Sequence, residues 1–431
     1  MKYHVLVFPC GSQNGVDLNF ALRHSLRIKV FGASSVEDHG SFVYKNYIGD
    51  LPNINEAIFI ERLNEVLLYN KIDFIIPTHD TVALFLKSKE ESIQAKIITS
   101  PLETVELCRY KSKIYNRLQN SDYVPAFYHE STEVVNYPVF LKPDSGQGGK
   151  GTFLAFSEQE IDFYKKKDPD LLIVEYLPGE ELTVDCFTDK EGQLRYAFPR
   201  VRDRTLGGIS TRTTLNFEDT YLETAKAIAD RLNQEMSFQG YWYFQLKKDA
   251  SGQFKLLEIS VRTAGSSSVQ VGLDINLALL TVLDFAGEPI KIQPNSYAAT
   301  VDRSLLNRFQ LDFEYDTVYV DLDDTLILEG QVNGFLMMFL YQCRNHDKKI
   351  FLLSKHAYNI SETLTSLCIS QDLFDKVVII SSHHKKSDYM DFTHAAIFID
   401  NSFAERAEVR SALGIPAFDV NSVEALIDWR G

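Results

Sequence analysis

Short runs of β-branched and aromatic residues, each followed by a stretch with helical spacing, occur near both ends of the chain. This alternation constrains the fold more than any other feature. Near the start the runs are Val5-Leu6-Val7-Phe8, Lys29-Val30-Phe31-Gly32 and Phe74-Ile75-Ile76-Pro77, with a helical pattern from about Val16. Near the end they are Thr317-Val318-Tyr319-Val320, Ile350-Phe351-Leu352-Leu353, Val377-Val378-Ile379-Ile380 and Ala396-Ile397-Phe398-Ile399. Apolar runs too short for helices, alternating with helices, predict buried strands of parallel sheets joined by crossover helices. With 431 residues the chain exceeds what one hydrophobic core serves. The expected division is an α/β domain over 1–107, a second domain over 108–290, a connector or edge-strand region over 291–314 and a compact α/β domain over 315–431.

Composition narrows the partners. A net charge of -15 repels a phosphate backbone, so nucleic acid is not an expected partner, although one basic pocket could hold a small phosphorylated ligand. Cys10, Cys108, Cys186, Cys343 and Cys368 are scattered and form no CxxC pair, which argues against a disulfide framework or zinc site and for a reducing compartment. No signal-peptide core precedes the first strand, and no run reaches the roughly 18 apolar residues of a membrane span, so a cytoplasmic protein with no membrane partner is expected.

The sharpest local signal is Lys142-Pro143-Asp144-Ser145-Gly146-Gln147-Gly148-Gly149-Lys150-Gly151, directly after the strand-like Tyr137 to Leu141. Its glycines let the backbone approach an anion and turn N–H groups toward it, while Lys142 and Lys150 add charge. The Walker A pattern is excluded, because Gly151 stands where Ser or Thr is needed. In the run Ile173 to Asp185, backbone groups around Glu175 to Leu177 could bond an adenine edge and Glu181 could accept ribose hydroxyls. Gln245 and Glu258 fall on strands either side of the turn-like Asp249 to Gly252, and a hairpin would bring both to one face as hard oxygen ligands for magnesium. Arg200, Arg202 and Arg204 could receive an anionic substrate. Pro9 to Gly15, lacking GxGxxG spacing, reads as a plain strand-to-helix turn ahead of a ligand-binding one.

These clusters, in this order, resemble the ATP-grasp superfamily, and within it carbamoyl-phosphate-synthase-type and carboxylate-amine ligase domains. The resemblance covers most of residues 1–290 and implies a pre-ATP-grasp α/β domain followed by an ATP-grasp fold. It implies that Lys111, Lys142, Gly146, Gly148, Gly149 and Lys150 contact the phosphates of ATP, and that Glu175, Leu177 and Glu181 hold the nucleoside. It further implies that Gln245, Glu258 and Ser260 bind magnesium, with manganese as a substitute, and that Arg262 contacts the reacting carboxyl or phosphoryl group. The family's Glu-x-Asn-x-Arg stands here as Glu258-Ile259-Ser260-Val261-Arg262, and serine is a poorer metal ligand than asparagine. The implied chemistry phosphorylates a small-molecule carboxylate, and an amine-type nucleophile attacks the acyl phosphate.

In the last segment, Asp321 and Asp323 lie two residues apart just past a buried strand, where α/β sheets bind ligands. An aspartate nucleophile needs such a second carboxyl to protonate the leaving group and activate water. Ser354, Lys385 or Lys386, and Asp400 follow the next three strands. This set resembles the haloacid dehalogenase (HAD) superfamily, which implies a Rossmann-like phosphatase domain. In it Asp321 would take the phosphoryl group and Asp323 act as acid and base. Thr325, Ser354 and Lys385 or Lys386 would hold the phosphate, and Asp321, Asp323 and Asp400, with Glu405, would hold magnesium. The short spacing from Asp321 to Ser354 to Lys385 leaves no room for a large cap.

The expected fold class is therefore a multidomain α/β and α+β protein, and the leading reading is an ATP-dependent ligase joined to a phosphatase, acting on small carboxylates and amines that include phosphorylated ones. A phosphoryl or carbamoyl transferase and a nucleotide-binding regulatory protein are the alternatives, and a homodimer is compatible with all three. His356, His383, His384 and His394 read as solvent or phosphate contacts ahead of a metal cluster, and Trp242 as a core residue.

Overall fold

The computed structural model describes residues 2–146, 149–215, 217–391 and 395–430, so Gly148 and His394 lie outside the described residues. The chain divides into two compact units, Met1–Leu305 and Leu306–Gly431.

The first unit opens with a parallel five-stranded sheet of β1 (Tyr3–Phe8), β2 (Ile28–Ala33), β3 (Tyr47–Ile48), β4 (Phe74–Pro77) and β5 (Lys96–Ile97), ordered β3-β2-β1-β4-β5. The chain runs outward from β1 through β2 and β3 and returns to pair β4 with β1, which makes the gap beyond the ends of β1 and β4 a topological switch point. Helix α1 (Gln13–Leu22) leaves that end of β1, capped by Ser12, whose Oγ accepts from the Gly15 N–H at 3.1 Å. Helix α2 (Phe59–Asn70) buries Phe59, Leu63 and Leu67, spaced for one apolar stripe. Helix α3 (Asp80–Ser88) starts just past β4, which sets Asp80 at the same sheet edge. Two short helices, α4 (Leu102–Arg109) and α5 (Lys111–Arg117), lead to the rest of the unit.

There, β6 (Phe127–Tyr128), β7 (Val139–Pro143), β8 (Phe153–Ala155) and β9 (Leu171–Glu175) form a small antiparallel sheet ordered β6-β9-β7-β8. A larger antiparallel sheet contains β10 (Glu181–Thr188), β11 (Leu194–Leu206), β12 (Ile209–Leu215), β13 (Gly240–Lys248), β14 (Phe254–Ser260) and β15 (Thr300–Asp302), ordered β14-β13-β10-β11-β12-β15. Helix Asp219–Glu235 buries Ala225, Ile228, Ala229 and Leu232 in the core that this sheet shares. Trp242 is fully buried, stacks on Phe238 with centroids 3.8 Å apart and donates to Thr188 Oγ1 at 2.9 Å. Part of the stretch read as a connector or edge-strand region is strand β15, which pairs with β12. This is the edge-strand alternative left open for that stretch, and its low apolar content fits a strand that need bury only one face.

The second unit holds β16 (Thr317–Val320), a hairpin of β17 (Ile327–Leu328) and β18 (Gln331–Val332), then β19 (Lys349–Ser354), β20 (Lys376–Ile379), β21 (Ala396–Ile399) and β22 (Ala417–Phe418). Its main sheet is parallel, ordered β20-β19-β16-β21-β22, with fully buried β16 at the centre. Only the hairpin and helix Gly334–Asn345 stand between β16 and β19. Among the described residues no single helix is long and apolar enough to cross a membrane.

Candidate functional site

Two adjoining cavities occupy the first unit. One of about 260 Å³ is lined by Lys111, Lys142, Gly146, Gly149, Lys150, Glu175, Leu177, Glu181, Gln245 and Glu258, so every ATP-contact position expected from the sequence, Gly148 aside, faces one space. The other, of about 610 Å³, shares Lys111, Gly146, Lys150, Gln245 and Glu258 with it and adds Asp80, Ser260 and Arg262.

Each position follows from local structure. Lys142 is carried inward on β7; its Nζ donates to Tyr115 Oη at 2.6 Å and to the Leu257 carbonyl at 3.3 Å. Burial, reinforced by the nearby Lys111 charge, lowers its ammonium to about 7 despite the opposing pull of Glu258. Lys111 opens α5 and reaches the carbonyls of Asp144 and Gly146 at 3.3 and 3.2 Å. The Asp144 carboxylate ties the loop down by accepting from Ser112 N and Oγ at 2.8 and 2.7 Å. Gly149 and Gly151, at φ +67° and +70°, take a backbone conformation that other residues rarely adopt.

Gln245 and Glu258 are register partners on β13 and β14, joined by a turn in which Asp249 Oδ1 accepts from the N–H groups of Ser251 and Gln253. Their two side-chain oxygens form a hard donor set suited to magnesium. Ser260 lies further along β14, but its hydroxyl donates to Asp80 Oδ1 at 2.6 Å. Arg262 Nε donates to the other Asp80 oxygen at 2.9 Å. Burial pushes the Asp80 carboxyl up, but Arg262 and these hydrogen bonds outweigh it and hold the group below its ordinary value. Sequence reasoning missed Asp80, whose only signal was its place at a strand-to-helix turn.

Other expected contacts are occupied differently. Glu175 Oε2 accepts from the Ala126 N–H at 2.7 Å, and Glu181 pairs with Arg202. The three arginines expected to receive substrate each have a carboxylate partner. Arg200, fully buried, holds Asp185 at 2.8 Å and Ser266 Oγ at 2.9 Å; Arg202 pairs with Glu181; Arg204 pairs with Asp302 at 2.9 Å. Alternation along β11 was legible, but the partners on β10 and β15 were not.

In the second unit, the ends of β16, β19 and β21 bring Asp321, Ser354 and Asp400 to one sheet edge. Lys386, 3% exposed, donates to both Asp321 Oδ1 and Asp400 Oδ2 at 2.6 Å. Lys385 is exposed, with its Nζ 4.0 Å from Glu408, so of the two lysines left open by the sequence it is Lys386 that reaches this sheet edge. Burial pushes the Asp321 carboxyl up to about 6, against the lowering pull of Lys386. Thr325 Oγ1 donates to Asp321 Oδ2 at 3.3 Å. Asp323 sits on the exposed side, 2.9 Å from His356 Nδ1, while His356 N donates to Ser354 Oγ at 3.1 Å and Nε2 meets Thr363 Oγ1 at 2.9 Å. Glu405 pairs with Lys355 at 2.6 Å instead of facing Asp400. Among the described residues no three His, Cys, Asp or Glu side chains converge as a metal cage. The Asp321 and Asp400 carboxylates still offer hard donors, and the ammonium of Lys386 now lies between them.

Comparison with known proteins adds a partial family match and a likeness of fold. Residues 167–305 match the family described as ATP-grasp in the biosynthetic pathway with Ter operon. The arginine-specific carbamoyl phosphate synthase large chain of Halalkalibacterium halodurans is 22% identical over 209 residues, 44% of this chain and 20% of that protein. This chain thus spans about a fifth of that relative's length. Among solved structures, the biotin carboxylase domain of Hydrogenobacter thermophilus 2-oxoglutarate carboxylase, a dimer in complex with MgADP, ADP and bicarbonate, superposes with a TM-score of 0.59 at 15% identity, covering 70% of this chain and 74% of that one. N5-carboxyaminoimidazole synthetase from Staphylococcus aureus superposes with a TM-score of 0.56 at 18% identity, covering 68% and 79%. The first unit is built on the ATP-grasp fold, for which ATP and magnesium are typical.

Proposed function

We propose that the first unit is an ATP-dependent carboxylate-amine ligase. The observation that carries this reading is the register pairing of Gln245 with Glu258 beside buried Lys142, where one cavity opens into a second lined by arginines. Lys111, Lys142, Lys150 and the loop glycines would hold the ATP phosphates, backbone groups at Glu175 to Leu177 the adenine, and Glu181 the ribose. Magnesium, held by Gln245 and Glu258, would neutralise phosphate charge. A carboxylate oxygen of the substrate attacks the γ-phosphorus, ADP leaves, and an amine then attacks the acyl carbon and expels phosphate. Placement and charge suffice for such transfers, and Arg262, oriented by Asp80, supplies a fixed cation beside the transferred group. We place the boundaries of this reading at 1–107 for the leading α/β domain and 108–290 for the ATP-grasp domain.

We further propose that residues 315–431 act as an uncapped HAD-type phosphatase. Asp321 would attack the phosphorus of a phosphorylated substrate or product, Asp323 would protonate the leaving oxygen and later activate water, and Thr325, Ser354 and Lys386 would bind the phosphoryl oxygens. Magnesium at the Asp321 and Asp400 carboxylates would add charge neutralisation. The depth of Asp321 and its bond to Lys386 support a nucleophile held in one orientation, and His356 supports Asp323 in its place.

The test is ADP and phosphate release from Mg-ATP with pools of carboxylates and amines. ADP formation that needs both pools, is lost in Glu258→Gln and survives in Asp321→Asn is the expected result. ADP formation indifferent to carboxylates would sink the ligase reading.

A further inference from the structure

Tyr115, which sequence reasoning passed over, is fully buried among the elements expected to hold ATP. It lies four residues after Lys111 on α5, so one face of that helix carries both side chains. A phenol hydroxyl has one proton to give and lone pairs to accept with. The proton of Tyr115 goes to β14, where the Leu257 carbonyl accepts at 2.9 Å and the Leu256 carbonyl stands further off at 3.4 Å. With that proton committed, Tyr115 Oη meets Lys142 Nζ, at 2.6 Å, only as an acceptor, whether the amine is charged or neutral.

Lys142 Nζ has three positions besides its carbon. Two point at Tyr115 Oη and the Leu257 carbonyl, at 2.6 and 3.3 Å, and no other described residue bonds the nitrogen. The third is left for whatever enters the cavity of about 260 Å³ that Lys142 lines with Lys111, Lys150 and Glu258. Burial and the Lys111 charge on α5 oppose an ammonium here, while Glu258 on β14, Asp144 just past β7 and Glu181 on β10 favour it. None of those carboxylates bonds Nζ, so the phenol oxygen is the closest group that stabilises its charge. A hydrogen bond from an ammonium is stronger than one from a neutral amine, so this acceptor favours the protonated form.

We propose that Tyr115 is a positioning residue for nucleotide binding: its hydroxyl, anchored on the residue before Glu258, holds Lys142 with one nitrogen position open to the phosphates, and Lys142 takes a proton from solvent as the polyphosphate binds. This rests on the smaller cavity being the nucleotide site and does not depend on which carboxylate or amine the protein uses. Tyr115 itself gives no proton to the phosphates, because its own stays on the Leu257 carbonyl.

The test is calorimetric titration of the full chain with Mg-ADP, repeated in buffers of different ionisation enthalpy from about pH 6 to about pH 8.5, which counts the protons taken up on binding. Uptake is expected to rise from near zero toward one proton, half-complete near the Lys142 value of about 7, and to lose this pH dependence in Lys142→Arg. Tyr115→Phe keeps the buried ring and removes only the acceptor, so the half-point should move down by about one pH unit, with Mg-ADP bound about tenfold more weakly above it. A merely structural role for the hydroxyl would weaken binding equally at every pH and leave the half-point in place. Titration of the ligand-free protein by lysine ¹⁵N NMR, with Lys142 assigned through Lys142→Arg, reads the same shift should Tyr115→Phe bind too weakly for calorimetry. An unmoved half-point in Tyr115→Phe, or uptake that survives in Lys142→Arg, overturns the inference. Failure of the unaltered protein to bind Mg-ADP at all would instead overturn the nucleotide-site reading, so the two failures are told apart.

Discussion

Lys142 and Lys386 are both buried lysines beside a proposed phosphate site, yet their surroundings are opposite. Lys142 meets a phenol and a carbonyl, has another cation nearby, and is lowered to about 7. Lys386 is clamped between Asp321 and Asp400, and despite burial their charges raise it above its ordinary value. A cation without a carboxylate partner has charge left for an anion that arrives; a cation held between two carboxylates is largely neutralised and fixes their orientation. On the proposed reading, Lys142 captures the ATP phosphates, while Lys386 organises Asp321 and Asp400 as well as meeting the phosphoryl group.

The widest separation between the two sites is expected on deleting the charges. Lys386→Met leaves two buried carboxylates facing each other and should destabilise the second unit by about 3–5 kcal/mol, read by denaturant unfolding. Lys142→Met removes a desolvated amine and should leave ligand-free stability unchanged or raised while abolishing ADP formation. Equal destabilisation by both would break the contrast.

Next in size, Asp323→Asn should lower phosphatase turnover by about 10²–10⁴-fold without changing ADP formation, measured with a phosphate-release assay on a generic phosphomonoester.

Lys142 also sharpens the contrast through pH. Its folded value is depressed, so above about 7 the free protein must take up a proton to bind polyphosphate. Mg-ATP affinity should therefore fall by up to about tenfold per pH unit above that point, and Lys142→Arg, always charged, should flatten the profile. For the ligand-free fold the sign is reversed. Between about 7 and the ordinary lysine value of 10.5 the unfolded chain binds more protons at this residue, so its contribution to stability improves as pH rises through that window.

The smallest effect belongs to Arg204, whose exposed pair with Asp302 should be worth no more than about 1 kcal/mol, so Arg204→Gln should alter neither folding nor anion affinity measurably.

What was legible in the sequence was what is local. The inner strands β1, β4, β16, β19 and β21 announced themselves by buried apolar runs such as Val5–Phe8, Val318–Val320 and Ala396–Ile399, and the edge strand β20 by Val377-Val378-Ile379 although it is partly exposed. The two-residue edge strands β3, β5 and β22 gave no such run. Gln245 and Glu258 could be paired in advance because a single turn joins their strands. Asp80 and Arg262, or Arg303 and Asp17, could not, since their meeting depends on how distant elements pack. The same reasoning explains why Arg200, Arg202 and Arg204 looked free in the sequence and are not in the fold.

The most direct measurement uses carboxylates labelled with ¹⁸O in the carboxyl group, offered with Mg-ATP and the amine pool to the Asp321→Asn variant, with the released phosphate read by mass spectrometry. Phosphate carrying one ¹⁸O, dependent on Lys142, is the predicted result, because the carboxyl oxygen that attacks the γ-phosphorus departs with it. ADP accompanied only by unlabelled phosphate would contradict activation of a carboxylate and, with it, the ligase assignment.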